Sequence, residues 1–410
     1  MSKLRRLSWS LIDQVISSAG NFIASLVAVR SLGVTEFGAF TLAFYVYTFS
    51  QGLSYAIAGE PFQVRHASDS SSTEARRAQC GVLGLAGLVG AAVFAACSVL
   101  SLAIGGDIGP ALLTIGILLP GMLVQDAARH IFFAEGRAQK AAINDGIWLG
   151  TLVLALLVIH WTQAHPSATL LLLSWGLTAW IAGIAALLSL KELPRPSRGW
   201  HWLLENKNIA GSFATDFVAM NGATQLVSFL LPVIVSLSAV GVLRGAQLIF
   251  GPLSVLLVGS RVFGIPEAAR LRAEGQKAFK THILHLAIAA TSLAVVYGAV
   301  ALLIPSSIGV RILGPTWVAS RPLVPAVALA MIGGAMALAP FQGLRVMSIG
   351  SRILKARAVD APVTSGLGIG GAFVGGVQGA ATGLGCANLL VAGTWWFQYH
   401  KAMGDVDWKE

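Results

Sequence analysis

Apolar residues recur along this chain in runs of roughly 18 or more, separated by short clusters rich in Arg, Gly and Pro. A hydrocarbon core about 30 Å thick is crossed by about 20 residues of helix, so each run can be one span. The pattern places spans at 9–29, 38–59, 80–104, 111–128, 143–160 and 169–190. A second set follows at 209–235, 239–260, 281–304, 322–343, 359–376 and 380–399. The expected fold is an all-α polytopic membrane protein of about twelve transmembrane helices with short loops. Spans eleven and twelve are the weakest, because Gly366 to Gly385 is glycine-rich and glycine disfavours helix.

Composition agrees with a lipid solvent: 55% of residues are apolar and 11% charged, against roughly 25% charged in soluble domains. A net charge of +10 raises the possibility of nucleic-acid binding, but the positions of the basic residues exclude it. Of 28 Lys and Arg residues, only Arg30, Arg244, Arg311 and Arg321 fall on one set of loops; the rest occupy the alternate loops and the termini. This is the positive-inside pattern, and it puts both termini in the cytoplasm. Asp13, Gln14 and Asn21 interrupt the first apolar run, so it reads as an uncleaved first helix and not a signal peptide. Cys80, Cys97 and Cys386 lack paired or metal-like spacing and read as packing residues.

The spans divide into two six-helix lobes, 1–190 and 209–400, with an interlobe linker at 191–208 and a cytoplasmic tail at 401–410. An internal repeat supports the division: Phe37-Gly38-Ala39-Phe40 through Gly59-Glu60-Pro61 is echoed by Val240-Gly241-Val242-Leu243 through Gly264-Ile265-Pro266. Likewise Ala134-Glu135-Gly136-Arg137 resembles Ser348-Ile349-Gly350-Ser351-Arg352. An even number of spans per half makes the repeats parallel. In the linker, Pro194, Pro196 and Gly199 suit a loop, with Trp200 and Trp202 at headgroup depth.

The run Arg30-Ser31-Leu32-Gly33-Val34-Thr35-Glu36-Phe37-Gly38 resembles the end of the first helix in Wzx-like polysaccharide flippases of the multidrug/oligosaccharidyl-lipid/polysaccharide (MOP) exporter superfamily. Gly136-Arg137, Val240-Gly241 and Leu313-Gly314-Pro315-Thr316-Trp317 fall in family-like places, and the resemblance covers essentially the whole chain. The loop at Ser236-Leu237-Ser238 departs from it by being short. The resemblance implies a non-enzymatic flippase in the bacterial cytoplasmic (inner) membrane. Its cargo would be a polyprenyl-diphosphate-linked oligosaccharide, moved by alternating access for cell-surface or extracellular polysaccharide export. Its partners would be membrane lipids, a polysaccharide polymerase and glycosyltransferases.

Such a passage needs cations and amides to hold a diphosphate and hydroxyls, and charges inside spans tend to face a cavity or a partner. Arg30 and Arg244, at comparable places in the two halves, are the candidate diphosphate ligands; the competing reading is snorkelling, or pairing with Glu36. Asp13, Gln14, Ser17, Ser18 and Asn21 form a polar stripe on the first helix. Asp216, Asn221, Thr224, Gln225 and Ser228 form another on the seventh, with Gln247 on the eighth. Asn21, Asn221, Gln225 and Gln247 are the candidate sugar contacts, or else interhelical hydrogen bonds. Asp13 and Asp216 are candidates for proton or sodium coupling, although Asp13 can also pair with Arg5 or Arg6. Asp126 and Asp145 read as capping or loop-pairing residues at helix ends, with Asp126 able to pair with Arg129 three residues on. No cofactor or metal is expected, and His282 and His285 share a face without a third ligand.

Two alternatives stand beside the flippase. A MATE-type ion-coupled antiporter would bind organic cations through buried carboxylates. A membrane-embedded glycan-modifying enzyme needs an acid or base on a sizeable loop, and no outer loop groups His with Asp or Glu. Nucleotide-driven transport is disfavoured because no Gly-x-x-x-x-Gly-Lys-Ser/Thr loop occurs.

Overall fold

The computed structural model describes residues 3–66 and 72–405, without the side chains of residues 3–7 and 261–263. The described residues form helices and no strands. They divide into two compact units, Met1–Val218 and Ala219–Glu410.

In the first unit the helices are α1 (Lys3–Ser31), α2 (Val34–Ser54), α3 (Glu60–His66), α4 (Thr73–Ile104), α5 (Ile108–Ala134), α6 (Ala138–Thr162) and α7 (Ala168–Leu190). A π-helical turn, Tyr55–Gly59, joins α2 to α3. Then α8 (Pro196–Ile234) begins in the first unit and carries the chain into the second. The second unit continues with α9 (Leu237–Ile249), α10 (Gly251–Ala273), α11 (Gln276–Leu302), α12 (Ser306–Leu313), α13 (Thr316–Ser320), α14 (Val324–Met347) and α15 (Gly350–Asp405).

Nine described helices are long and apolar enough to cross a membrane, or ten if the bent pair α9 and α10 is one span. Within α15 the backbone leaves helical geometry at Gly375 and Gly376, so α15 is two lengths of helix and supplies the two expected glycine-rich spans. The helix α2, which covers most of the expected second span, is not among those nine or ten. The α15 hairpin closes because its glycines lack side chains: a Cβ on Gly371 would strike the Gly379 carbonyl, and one on Gly379 the Gly371 carbonyl. Helix propensity alone undervalued this segment, since backbone-to-backbone packing of small residues offsets the weak intrinsic helicity of glycine.

Elsewhere the structure corrects the expected boundaries. The linker is loop only to Arg195; Pro196, with φ preset for a first helical turn, starts a helix that runs without a break into the seventh span. That helix docks on α4 of its own unit, where Gly84 meets the Arg195 backbone, Gly199 meets Gly84 and Leu85, and Gly81 meets Trp202. Trp202 is therefore buried against protein. The paired turns of the repeat also differ in detail. Gly136 has φ +68° between α5 and α6, but between α14 and α15 the left-handed residue is Ser348 (φ +60°) and not Gly350.

Within the first unit α5 is central, packing on α4, α7, α2 and α6, while α1 lies along α6. Within the second, α14 packs on α15, α11 and α10.

Candidate functional site

Two contacts in the first unit set the helix spacing around a buried ionic cluster. Gly20 of α1 sits flat on the Trp148 ring, where an added Cβ would come within 2.7 Å of Cζ3. Seven residues before Gly20, on the same helix face, is Asp13; three before Trp148 is Asp145. The close α1–α6 approach thus points both carboxylates toward α5, which lies against α6. On α5, Asp126, Arg129 and His130 share a face at three- and four-residue spacing.

Arg129 is the hub. Its Nη1 donates to Asp145 Oδ2 at 3.0 Å and to Ser17 Oγ at 3.1 Å. Its Nη2 lies 3.4 Å from Asp126 Oδ1, and its Nε 3.9 Å from Asp13 Oδ2. The three aspartates are 1–2% exposed. Amides complete the shell. Gln51 donates to Asp126 Oδ1 at 2.8 Å, and Gln125 donates both to Asp145 Oδ1 at 3.1 Å and to Asn144 Oδ1 at 2.8 Å. Asn144 in turn donates to the Ala182 carbonyl at 2.6 Å. His130 Nε2 lies 3.3 Å from Asp126 Oδ2.

Among the described residues the acidic groups of the cluster outnumber the basic ones: three carboxylates face one guanidinium. An uncompensated charge at membrane depth costs about 2.5–3.5 kcal/mol even on lenient scales, so a cluster of this composition favours taking up a positive charge. The carboxylates are not equally served. Asp126 and Asp145 each accept hydrogen bonds, whereas among the described residues Asp13 has only the 3.9 Å contact and its Oδ1 has no hydrogen-bond partner. Among the described residues no group of three or more His, Cys, Asp or Glu is arranged to hold a metal ion. The oxygens surround a guanidinium, so the arrangement suits proton exchange better than a metal cage.

Asp13 is therefore inside the cluster; Arg5 and Arg6, its other expected partners, have side chains outside the described set. Asp126 and Asp145 are not capping residues at helix ends, as their sequence positions suggested. They lie about two turns inside their helices, because short loops leave α5 and α6 extending past them. The remaining sequence candidates lie outside this cluster. Arg30 is exposed at the last turn of α1 and forms no ion pair with Glu36. Asn21 is half-buried, one turn beyond Ser17, and its Oδ1 has no hydrogen-bond partner. Asp216 is exposed on α8 of the first unit. In the second unit Asn221 is exposed, and Gln225, Arg244 and Gln247 are half-buried. The signal for the missed residues was present in the sequence: Asp126-x-x-Arg129 and Asn144-Asp145 are charged or amide groups inside otherwise apolar runs.

No family model matches the chain, and no curated protein sequence matches it. Solved structures do. An inward-facing multidrug resistance MATE family transporter of the MOP superfamily superposes with a TM-score of 0.72 at 12% identity, covering 97% of this chain and 98% of that one. A MOP superfamily transporter from Pyrococcus furiosus, described as having a binding pocket of reverse polarity, gives 0.63 at 13% identity over 98% and 95%. The lipid II flippase MurJ, in an inward closed conformation, gives 0.66 at 11% identity over 96% and 89%. The chain therefore has the all-helical MATE-like fold of MOP superfamily transporters.

Proposed function

We propose that the chain is an ion-coupled flippase of the MOP type. In this reading it moves a polyprenyl-diphosphate-linked oligosaccharide across the cytoplasmic membrane by alternating access, with its basic loops and both termini in the cytoplasm. The observation that carries the coupling is the cluster of Asp13, Asp126 and Asp145 around Arg129, a buried site that gains from accepting one positive charge. Its oxygens surround a guanidinium, which supports H⁺ as the driving ion in this reading. Protonation at Asp13 frees Arg129 to bind Asp126 and Asp145 more tightly, and repacking of α1 against α5 and α6 is the step through which ion binding biases the lobe.

The substrate assignment rests on chemistry and on the resemblance at Arg30 to Gly38. Arg30 and Arg244 bind the diphosphate, and Asn21, Asn221, Gln225 and Gln247 contact the sugar. Fold similarity to a lipid II flippase supports handling of a lipid-linked cargo. The test is flipping of a short polyprenyl-diphosphate sugar in reconstituted vesicles under an imposed pH gradient. Arg30→Glu with Arg244→Glu should abolish flipping in protein that remains monodisperse, and unchanged flipping would remove both residues from the site. Asp13→Asn should leave binding but cancel the response to the pH gradient.

One observation favours a second reading, a MATE-type small-molecule antiporter: the cluster is acidic, and MATE transporters share the fold. Proton-driven movement of organic cations with no movement of the lipid-linked sugar would select that reading. Flipping of the sugar without chemical change to it would exclude a glycan-modifying enzyme.

A further inference from the structure

On one side the cluster is approached by a chain of polar groups that the coupling reading does not use. A cavity of about 460 Å³ opens on the side of the basic loops, lined by Ser10, Gln63, Phe133, Glu135 and Gly136. Gln63 forms part of its wall and also reaches inward, its Nε2 lying 3.4 Å from His130 Nδ1 and 3.4 Å from the His130 carbonyl. The opposite ring nitrogen, Nε2, is 3.3 Å from Asp126 Oδ2, and Asp126 leads to Arg129. His130 thus separates the cavity from the carboxylates, with one nitrogen facing each.

The backbone that builds this arrangement is irregular. The π turn Tyr55–Gly59 inserts an extra residue into the helical path, and such turns are rare and frequent at functional sites. It brings the Tyr55 ring to 4.2 Å from the His130 ring, with the Tyr55 hydroxyl donating to Gln63 Oε1 at 3.1 Å. Gly59 makes the approach possible: a Cβ there would lie 2.8 Å from Tyr55 Cδ2 and 3.5 Å from His130 Cβ. One turn of irregular helix therefore fixes the ring, the amide and the hydroxyl together.

We propose that His130 carries protons between the cavity beside Gln63 and the buried carboxylates, with Gln63 as its gate and the π turn as the feature that assembles the route. The proposal rests on the coupling reading above. When Gln63 swings aside, Nδ1 accepts a proton from the cavity and the ring becomes imidazolium. Nε2–H then passes to Asp126 Oδ2, which leaves a neutral ring protonated at Nδ1 and a neutral carboxylic acid; return of a proton to Nε2 with release of the Nδ1 proton to the cavity restores the starting tautomer. Loss of the Asp126 charge redistributes Arg129 between Asp145 and Asp13, and the proton settles on Asp13, the carboxylate with the loosest partner. The charged and titratable groups around the ring are Asp126 and Arg129 on its own helix and Tyr55 of the π turn; Glu60 at the start of α3 acts on Tyr55.

The test uses the full chain in vesicles and protons as the probe. After a rapid drop in pH, the infrared carbonyl band of newly protonated carboxylic acid is followed in time. The wild type gives a band that Asp13→Asn removes. His130→Gln should keep its amplitude but slow its rise by roughly 100-fold, the lower end for loss of a positioned proton-transfer group. Gln63→Leu, at a half-buried position, removes the hydrogen bond that caps Nδ1 and should speed the rise; it carries the test if His130→Gln does not fold. A rise at the wild-type rate in either variant, with the band still lost in Asp13→Asn, overturns the relay and leaves the cluster. A band that persists in Asp13→Asn overturns the coupling reading itself.

Discussion

Replacing Arg129 by glutamine removes the cation that, among the described residues, Asp13, Asp126 and Asp145 share, while a side chain of related length keeps some hydrogen bonding. The guanidinium lies 3.0, 3.4 and 3.9 Å from the three carboxylates, and the side chains involved are 13% exposed or less. Breaking a buried ionic network by deleting one partner costs about 3–5 kcal/mol, because the remaining charges are left buried and unpaired. In a unit of 218 residues each kcal/mol moves Tm by about 2–4 °C, so the variant should unfold about 6–20 °C earlier. Thermal unfolding followed by tryptophan fluorescence reads this directly, since Trp148 and Trp175 are buried in the same unit. Adding Asp145→Asn to Arg129→Gln removes one orphaned charge and should recover part of the loss, whereas Asp145→Asn alone should destabilise by breaking its contacts to Arg129 and Gln125. Opposite signs in the two backgrounds are the signature of a coupled ionic network. A single Arg129→Gln variant within about 1 kcal/mol of wild type would refute the view that this guanidinium holds the cluster together.

Other perturbations test the packing and the topology. Gly379→Val drives a side chain into the Gly371 carbonyl and should prevent closure of the α15 hairpin, read as loss of monodisperse protein; tolerance of valine would contradict the backbone contact. Gly84→Val collides with the Arg195 backbone and should undock the start of α8 from α4, seen as faster tryptic cleavage at Arg195 and Arg198; unchanged cleavage would mean the contact does not hold the linker. Asp13→Asn, at the carboxylate with the weakest contact, should change Tm far less than Arg129→Gln, and an equal loss would argue that Asp13 is a structural partner and not an ion site. Cysteines placed at the exposed positions Arg137 and Arg270 should react with a membrane-impermeant reagent from the same side; reaction from opposite sides would break the positive-inside assignment.

The sequence by itself determined the all-helical, membrane-spanning class of the chain, because apolar length reports each helix's relation to lipid independently of its neighbours. It also supplied the separate ingredients of the site: Asp13 on an interrupted first helix, and Asp126 paired with Arg129 by helical spacing. What it could not supply is convergence. Asp13, Asp126 and Asp145 are far apart in sequence and meet only because Gly20 lies flat on Trp148 and α5 fits between its neighbours. The π turn at Tyr55 escapes a reading based on a 3.6-residue period, since it is a departure from that period. The start of α8 at Pro196 belongs with it: docking on the glycines of α4 turned an expected loop into helix. Local chemistry decides which segments become helices in lipid, and only packing decides which of their polar groups share a charge.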